Sequence, residues 1–370
     1  MTAPPPGSYA SRVSDDRPRV SEPPAPATTP KELFADRVAV VVNGNAKRVT
    51  DDLVDILDQI VQSGDLFVSR SIEEGDEIAA TIVRRGYPTV LTAGGDGTFV
   101  QMVTKITATA RRAGDPPPRF GLLRLGTGNA LAWVLGAQNP RHRGVIADLG
   151  RLRREGGSRK LKLLDVEGTL TPFAGLGIDA IALTDYNTTK DALSKSPLTR
   201  PIASGGAAYL IAVLGKTMPQ YLLRPHPSVT IVNEGEPVVR LGRDGEPVQE
   251  LGTGEVIYAG PSRMVAMGTI PYWGFGARIF PFADDREDRF SLRVVDINSF
   301  QVAWNIRDIW SGAYRSDTLH DFLCERISIR YDEPMPMQIG GDPVGPRRTV
   351  EARLAPEPIE VVDYYAPPPT

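Results

Sequence analysis

The sequence predicts an α/β N-terminal domain on a mostly parallel sheet, followed by a larger C-terminal β-rich domain, antiparallel and sandwich-like. Three observations predict it. From Arg37 to Leu135 short β-branched runs alternate with stretches of helical periodicity, the order of a parallel sheet covered on both faces. After about Gly150 the apolar runs become short and strand-like, with turn-forming Gly, Pro and Asp between them. Two glycine-rich turns in the first half each follow an apolar run and open a helical one, which is where parallel sheets bind ligands. The expected boundaries are a disordered Pro-rich tail over 1–35, an α/β domain over 36–150 and a β-rich substrate domain over 151–370.

Each element has its local reason. Val38 to Val42 is a continuous apolar strand, and Asp51 to Gln62 places Leu53, Ile56, Leu57, Ile60 and Val61 on one helical face between a Thr50 cap and a Gly64 stop. Leu66 to Ser69 is strand-like, and Glu74 to Arg85 is a helix with Ile78, Ile82 and Val83 inward, stopped by Gly86. Thr89 to Thr92 is a strand running into Gly94; Phe99 to Arg112 is a helix, Phe120 to Leu125 a strand and Asn129 to Leu135 a helix. In the second half the strands are Lys160 to Val166, Val229 to Val232, Glu255 to Tyr258, Met264 to Met267, Phe290 to Val295, Arg326 to Tyr331, Met337 to Ile339, Thr349 to Leu354 and Ile359 to Val362. Helical insertions fall around Ala203 to Thr217 and Val302 to Ile309, and Gly242 to Gly252 reads as a polar hairpin or loop.

Composition narrows the function classes. The chain has 370 residues, 41% hydrophobic and 24% charged, enough for two domains with a sizeable core. Lys+Arg 42 against Asp+Glu 45 gives a formal net charge of -3, so there is no basic field for nucleic acid. The single cysteine, Cys324, excludes an intrachain disulfide and a Cys-rich zinc site and reads as a small buried hydrophobe. No run of about 18 apolar residues occurs, so no membrane-spanning helix is expected. With His142, His226 and His320 unclustered, acid–base chemistry falls to carboxylates.

The chemistry concentrates in the turns. In Gly94-Gly95-Asp96-Gly97-Thr98 the glycines let backbone N–H groups converge on phosphate at a helix N-terminus, while Asp96, too anionic to touch phosphate, is placed to hold Mg²⁺ or a metal-bound water. Asp-Gly is also a hairpin signal, but the helical spacing of Phe99 to Arg112 leaves no second strand. Gly126-Thr127-Gly128-Asn129 repeats the arrangement, with Thr127 and Asn129 as hydrogen-bonding groups for phosphate or base. Asn43-Gly44-Asn45-Ala46-Lys47 adds a third strand-end loop, with Lys47 a phosphate contact or a plain solvated residue. Gly215-Lys216-Thr217 is no P-loop, because Leu210 stands where that motif needs glycine.

On the Gly-Gly-Asp-Gly-Thr and Gly-Thr-Gly-Asn turns the chain resembles the diacylglycerol kinase catalytic-domain family, which includes bacterial lipid kinases, sphingosine kinases and ceramide kinase. The resemblance implies a two-domain lipid kinase fold with nucleotide on the first domain and lipid in the cleft. Asn129-Ala130-Leu131-Ala132 matches the sphingosine-kinase style and departs from the NAD kinase pattern. Phe173 to Ala180 looks like the family's apolar-Gly-x-Asp-Ala segment, and Asp284 to Asp288 like an acidic loop that in bacterial members holds a structural metal, implying Glu287 and Asp288 as ligands. That loop has Arg289 where the family has glycine, so an exposed charge run competes with the metal reading.

Departures from the family pattern sharpen the question of turnover. Asn43-Gly44 replaces Asn-Pro, Gln101 replaces a Glu, and Ala130 an Asp. The Asp-Gly-Glu that carries the family's general base aligns with Gly340-Gly341-Asp342, so the base position is glycine. Either Asp342 reaches the same place from the adjacent turn, or the protein binds without turnover as a nucleotide or lipid sensor. The expected activity is transfer of phosphate from ATP, with Mg²⁺, to a diacylglycerol or sphingoid-type hydroxyl, with Asp342 and Asp96 catalytic; a soluble acceptor is the further alternative. The expected partner is a lipid substrate at the membrane surface, contacted from the cytoplasmic side, with Lys190 to Arg200 as an interfacial or plain exposed loop and a homodimer left open.

Overall fold

The computed structural model describes residues 37–44, 65–125, 129–137, 157–195, 211–217 and 227–365, with single positions 148, 199 and 208. The expected tail, the helix over Asp51 to Gln62, Lys47 and the turn residues Gly126, Thr127 and Gly128 lie outside the described residues. In chain order the first half comprises β1 (Val38–Asn43), β2 (Leu66–Ser69), α1 (Ile72–Arg85), β3 (Thr89–Gly94), α2 (Asp96–Ala113), β4 (Arg119–Arg124) and α3 (Ala130–Leu135). The remainder comprises β5 (Gly157–Leu161), β6 (Leu164–Val166), β7 (Thr169–Thr171), β8 (Phe173–Gly177), α4 (Ile178–Ser194), a π-helical turn Val213–Thr217, β9 (Ser228–Asn233), β10 (Val238–Leu241), β11 (Pro247–Leu251), β12 (Val256–Pro261), β13 (Met264–Gly268) and β14 (Phe290–Val295). It closes with α5 (Ser299–Trp304), α6 (Ile306–Ser311), β15 (Leu319–Cys324), β16 (Arg326–Ile339), β17 (Asp342–Leu354) and β18 (Ile359–Asp363).

The smaller sheet has the order β2-β1-β3-β4-β18-β5, parallel from β2 through β18 and antiparallel only at β5. Its central strands are mostly apolar and buried, with Val40, Leu91 and Leu122 fully covered and Thr89 and Thr92 the buried polar residues of β3. α1 shows how local chemistry sets an element. The Ser71 hydroxyl accepts from the Glu74 N–H, Glu73 and Glu74 sit in the first turn and Arg84 and Arg85 in the last, and Gly86 ends the helix at φ +70. Ile78, Ala79, Ile82 and Val83 then face the sheet. A cut at residue 150 would leave this sheet without β18 and β5, since its last two strands come from 359–363 and 157–161.

The second sheet is larger, twelve-stranded among the described residues and antiparallel throughout. Its longest unit is the β16–β17 hairpin, which the sequence breaks into shorter strands. Pro334, Pro336, Pro343 and Pro346 explain the difference: they lack ladder donors, and the register slips between Arg330 and Met335 and between Met337 and Gln338 to accommodate them. Buried cross-strand pairing of Arg293 with Asp321, through two hydrogen bonds of 2.6 and 2.8 Å, ties β14 to β15. Cys324 is buried in this core, and burial pushes its thiol pKa up. The expected polar hairpin over Gly242 to Gly252 is the turn and second strand of β10–β11.

Among the described residues three expected helices have extended ends: α1 begins at Ile72, α2 spans Asp96–Ala113, and the insertion at Val302 to Ile309 is the pair α5 and α6; the insertion expected over Ala203 to Thr217 lies partly outside them and ends in the π-helical turn Val213–Thr217. α4 is a correction. The sequence expects no helix over Ile178–Ser194, and it expects a loop from Lys190, yet the chain turns at Gly177 (φ +103) directly from β8 into helix. Its threonines and β-branched residues have weak helical propensity, and packing supplies what propensity does not: Ala182 meets Val213, and Tyr186 meets Ala208 and Ala212.

Candidate active site

The two glycine turns of the first half brace each other. β3 ends at Gly94, Gly95 caps α2 without a side-chain bond, and Asp96, the first residue of α2, is buried. The Asp96 carboxylate accepts from the N–H groups of Ala130 (2.7 Å) and Leu131 (3.1 Å), so it caps α3 from a distance. In return the Asn129 amide donates to the Gly94 carbonyl at 3.2 Å, leaving Asn129 Oδ1 buried without a partner among the described residues. Asn43, at the end of β1, donates to the Thr98 hydroxyl at 3.1 Å. Gly94 admits that hydroxyl, since a methyl there would lie 2.5 Å from Thr98 Oγ1. Asn43, Gly94, Gly95, Asp96, Gly97, Thr98 and Asn129 are thus gathered at the carboxyl ends of adjacent parallel strands.

Asp96 therefore does more than the sequence suggests. Both oxygens already hold backbone N–H groups, and only their remaining lone pairs are open to a cation. Burial pushes its pKa up to about 7 against those two hydrogen bonds, with the nearby Asp342 charge adding to the rise.

Asp342 reaches this site from the second sheet. Gly340 and Gly341 form the two-residue turn between β16 and β17, with φ of +59 and +89, the left-handed pair that a type I′ hairpin demands. Gly340 donates to the Phe173 carbonyl (3.0 Å) and packs so close to α2 that a methyl on it would lie 2.5 Å from Val100 Cγ2. No side chain fits at that position. Two residues on, the Asp342 carboxylate rests over Gly97: a methyl on Gly97 would lie 2.7 Å from its Cγ. The Asp342 carboxylate makes no hydrogen bond with any described residue, and protein crowding around it raises its pKa although the residue itself is exposed.

Gln338 and Asp179 complete the polar end, and neither is assigned a role from sequence. The buried Gln338 amide donates to Asp179 Oδ2 (3.2 Å) and accepts from the Gly341 N–H (2.8 Å). Burial raises the Asp179 pKa to about 7 against the Ala180 N–H and Gln338 bonds, and its Oδ1 lacks a partner among the described residues. The signal for Gln338 was one polar residue flanked by Met337 and Ile339 in a strand, too common a pattern to single out.

These groups line one end of a cleft of about 400 Å³ between the two sheets. Away from Gly95, Asp96, Asn129 and Asp342 its walls turn apolar: Ile178, Leu183 and Tyr186 from α4, Phe275, Val302 from α5, and Ile306, Ile309 and Trp310 from α6. The expected metal loop is elsewhere and differently built. Asp288 accepts from Arg286 (3.0 and 3.1 Å) and Arg289 (2.7 Å), which hold its pKa below the usual range, and no three metal-ligating groups converge among the described residues. Glu287 and Asp288 thus belong to an exposed ion-paired run instead of a carboxylate cage, because the arginines supply the compensating charge.

Comparison with known proteins agrees with this geometry. Residues 37–163 match the family model of the diacylglycerol kinase catalytic domain. No curated protein matches the sequence significantly. A solved diacylglycerol kinase structure from Bacillus anthracis str. Sterne has a TM-score of 0.57 at 13% identity, covering 88% of this chain and 96% of that one. Two further structures from that organism, provisionally named as diacylglycerol kinases, reach 0.61 at 13% and 15% identity, covering 88% of this chain and 96% and 97% of theirs. Likeness at that identity carries the fold, and the match to the family model over residues 37–163 takes in both glycine turns of the first half.

Proposed function

We propose that the protein is an ATP-dependent kinase that phosphorylates a lipid hydroxyl. The observation that carries this reading is the divided lining of the cleft: the carboxylates of Asp96, Asp179 and Asp342 with a glycine-rich helix start on one part, and mostly aliphatic and aromatic walls, with Arg263 among them, on the rest. An acyl chain suits such walls, whereas a polar dinucleotide would bury unpaired groups against them.

ATP phosphates are assigned to the turn Gly94, Gly95, Gly97 and Thr98 with Asn43, where the start of a long helix favours negative charge, and, from the sequence pattern, to the companion turn of Gly126, Thr127, Gly128 and Asn129. Asp342 is the general base: it takes the proton of the lipid hydroxyl as that oxygen bonds to the γ-phosphorus and the bond to the bridging oxygen breaks, releasing ADP. Its raised pKa brings its proton affinity closer to neutral pH. The lone pairs that Asp96 keeps beyond its two backbone hydrogen bonds fit a divalent cation, which leaves Asp342 free to take the proton. Bound Mg²⁺ would neutralise phosphate charge during transfer. In this reading the lipid is met at the bilayer surface.

The test is phosphate transfer from ATP to diacylglycerol, sphingoid base and ceramide in mixed micelles. A phosphorylated lipid is expected. Nucleotide binding without any product favours the sensor reading, and product from a water-soluble acceptor without detergent favours a soluble-substrate kinase.

A further inference from the structure

The hydrogen bonds that place Asp342 converge on one side chain, and we infer that Gln338 is a positioning residue that sets where the Asp342 carboxylate lies over Gly97. The inference rests on the reading of Asp342 as the base of this site.

A two-residue hairpin turn supplies partners to neither of its central amides. Here both are held from below. Gly340 donates to the Phe173 carbonyl at 3.0 Å, a backbone contact that any sequence could make, and Gly341 donates to Gln338 Oε1 at 2.8 Å. The other end of the same amide donates to Asp179 Oδ2 at 3.2 Å. Asp179 lies at the start of α4, with its Oδ2 against Gly175, where a methyl would collide with it. Gln338 itself is pinned as strand, paired with Gly175 of β8 and Pro343 of β17, and is 1% exposed. The linkage runs from the β8–α4 junction through Asp179 and Gln338 to Gly341.

The backbone beyond Gly341 is stiff. Pro343 restricts the preceding Asp342 to extended backbone, so the orientation of Gly341 passes directly to the carboxylate. Beyond the ladder pairing of Asp342 with Ile339, the Gln338 bond is the one side-chain anchor of this turn among the described residues, and the Asp342 carboxylate itself has no hydrogen bond with any of them. A buried amide with both ends bonded has one rotamer, and exchanging it for an apolar chain frees the turn without leaving a hole.

The full chain with Gln338→Met, close in volume, removes both bonds; Gln338→Glu keeps the acceptor for Gly341 and loses the donor to Asp179. Two readouts are used: amide hydrogen exchange over the 338–344 segment, and kcat and KM of lipid phosphorylation. Gln338→Met is expected to speed exchange at the turn about tenfold, the worth of an ordinary hydrogen bond, with strands β13 and β14 unchanged. It is expected to lower kcat about tenfold or more while KM for ATP holds. Gln338→Glu is expected to restore turn protection. Unchanged turn exchange in Gln338→Met overturns the inference, as does a loss of kcat matched by an equal rise in KM for ATP. Should Gln338→Met lose protection throughout, Gln338→Glu decides: turn protection and kcat falling together there supports the role, and their separation overturns it. If the parent protein phosphorylates no lipid, the kinase reading fails while exchange at Gly341 still decides the role of Gln338.

Discussion

The glycine turn after β3 and the glycine turn between β16 and β17 meet across the cleft, and they use glycine for opposite reasons. In the first, backbone angles are ordinary and the missing methyls make room: for Thr98 at Gly94 and for the Asp342 carboxylate at Gly97. In the second, φ of +59 and +89 requires glycine whatever the space, and only Gly340 is also short of room. One turn is a fixed receiving surface; the other delivers a side chain to it.

Breaking the delivered group tests the comparison most severely. Asp342→Asn is expected to lower kcat by about 10²–10⁴-fold with nucleotide affinity retained, measured by steady-state kinetics beside equilibrium ATP binding. Gly97→Ala attacks the receiving side. Alanine favours a helix over glycine by about 1 kcal/mol, so thermal stability should hold while the methyl displaces the carboxylate and kcat drops on the order of 10²-fold. A variant that loses stability and kcat together would show that the gap at Gly97 serves folding instead.

The two positions of the second turn should separate in chemical denaturation. Gly340→Ala carries both backbone strain and collision with Val100, for about 2–3 kcal/mol, whereas Gly341→Ala carries strain alone, about 1 kcal/mol. Equal losses would mean that Val100 yields easily. The smallest effect is pH-dependent. Burial raises the Asp179 pKa to about 7, so its contribution to stability is full at acid pH, where the carboxyl is protonated in both states, and is lost as pH rises through the folded value. Asp179→Asn should flatten that part of the decline in a series of thermal melts from pH 4 to pH 8.

Much of the first region was legible because short-range signals agree there. Strand, glycine turn and helix follow one another within a few residues, and Ser71, Gly86 and Gly114 mark helix ends as local chemistry says they should. The second region hides its organisation in distance. Nothing near Ile359 announces that it will lie in the smaller sheet beside β4, and the prolines of β16 and β17 argue locally against the hairpin that carries Asp342. Asp342 could be named only through the resemblance that sets Gly340-Gly341-Asp342 against the family's Asp-Gly-Glu; its proximity to Gly97, and the roles of Gln338 and Asp179, arise only when residues far apart in sequence meet. The apolar walls come from α4, α5 and α6, whose inward side chains look in sequence like any core stripe.

The strands that close the smaller sheet also define how the two halves are joined. The chain crosses between sheets from β5 to β6 and returns from β17 to β18, and the crossings run side by side: Leu164 pairs with Leu354, Leu161 with Ile359, and the Ala355 N–H bonds the Leu163 carbonyl at 2.8 Å. The junction is more than two laced connectors: Phe173, Ala266 and Phe280 of the second half lie in the same apolar cluster as Leu91, Phe99 and Phe120 of the first, and the Leu170 N–H donates to the Thr104 hydroxyl at 3.0 Å. Asp342 is therefore held over Gly97 by a core that runs continuously from one sheet to the other.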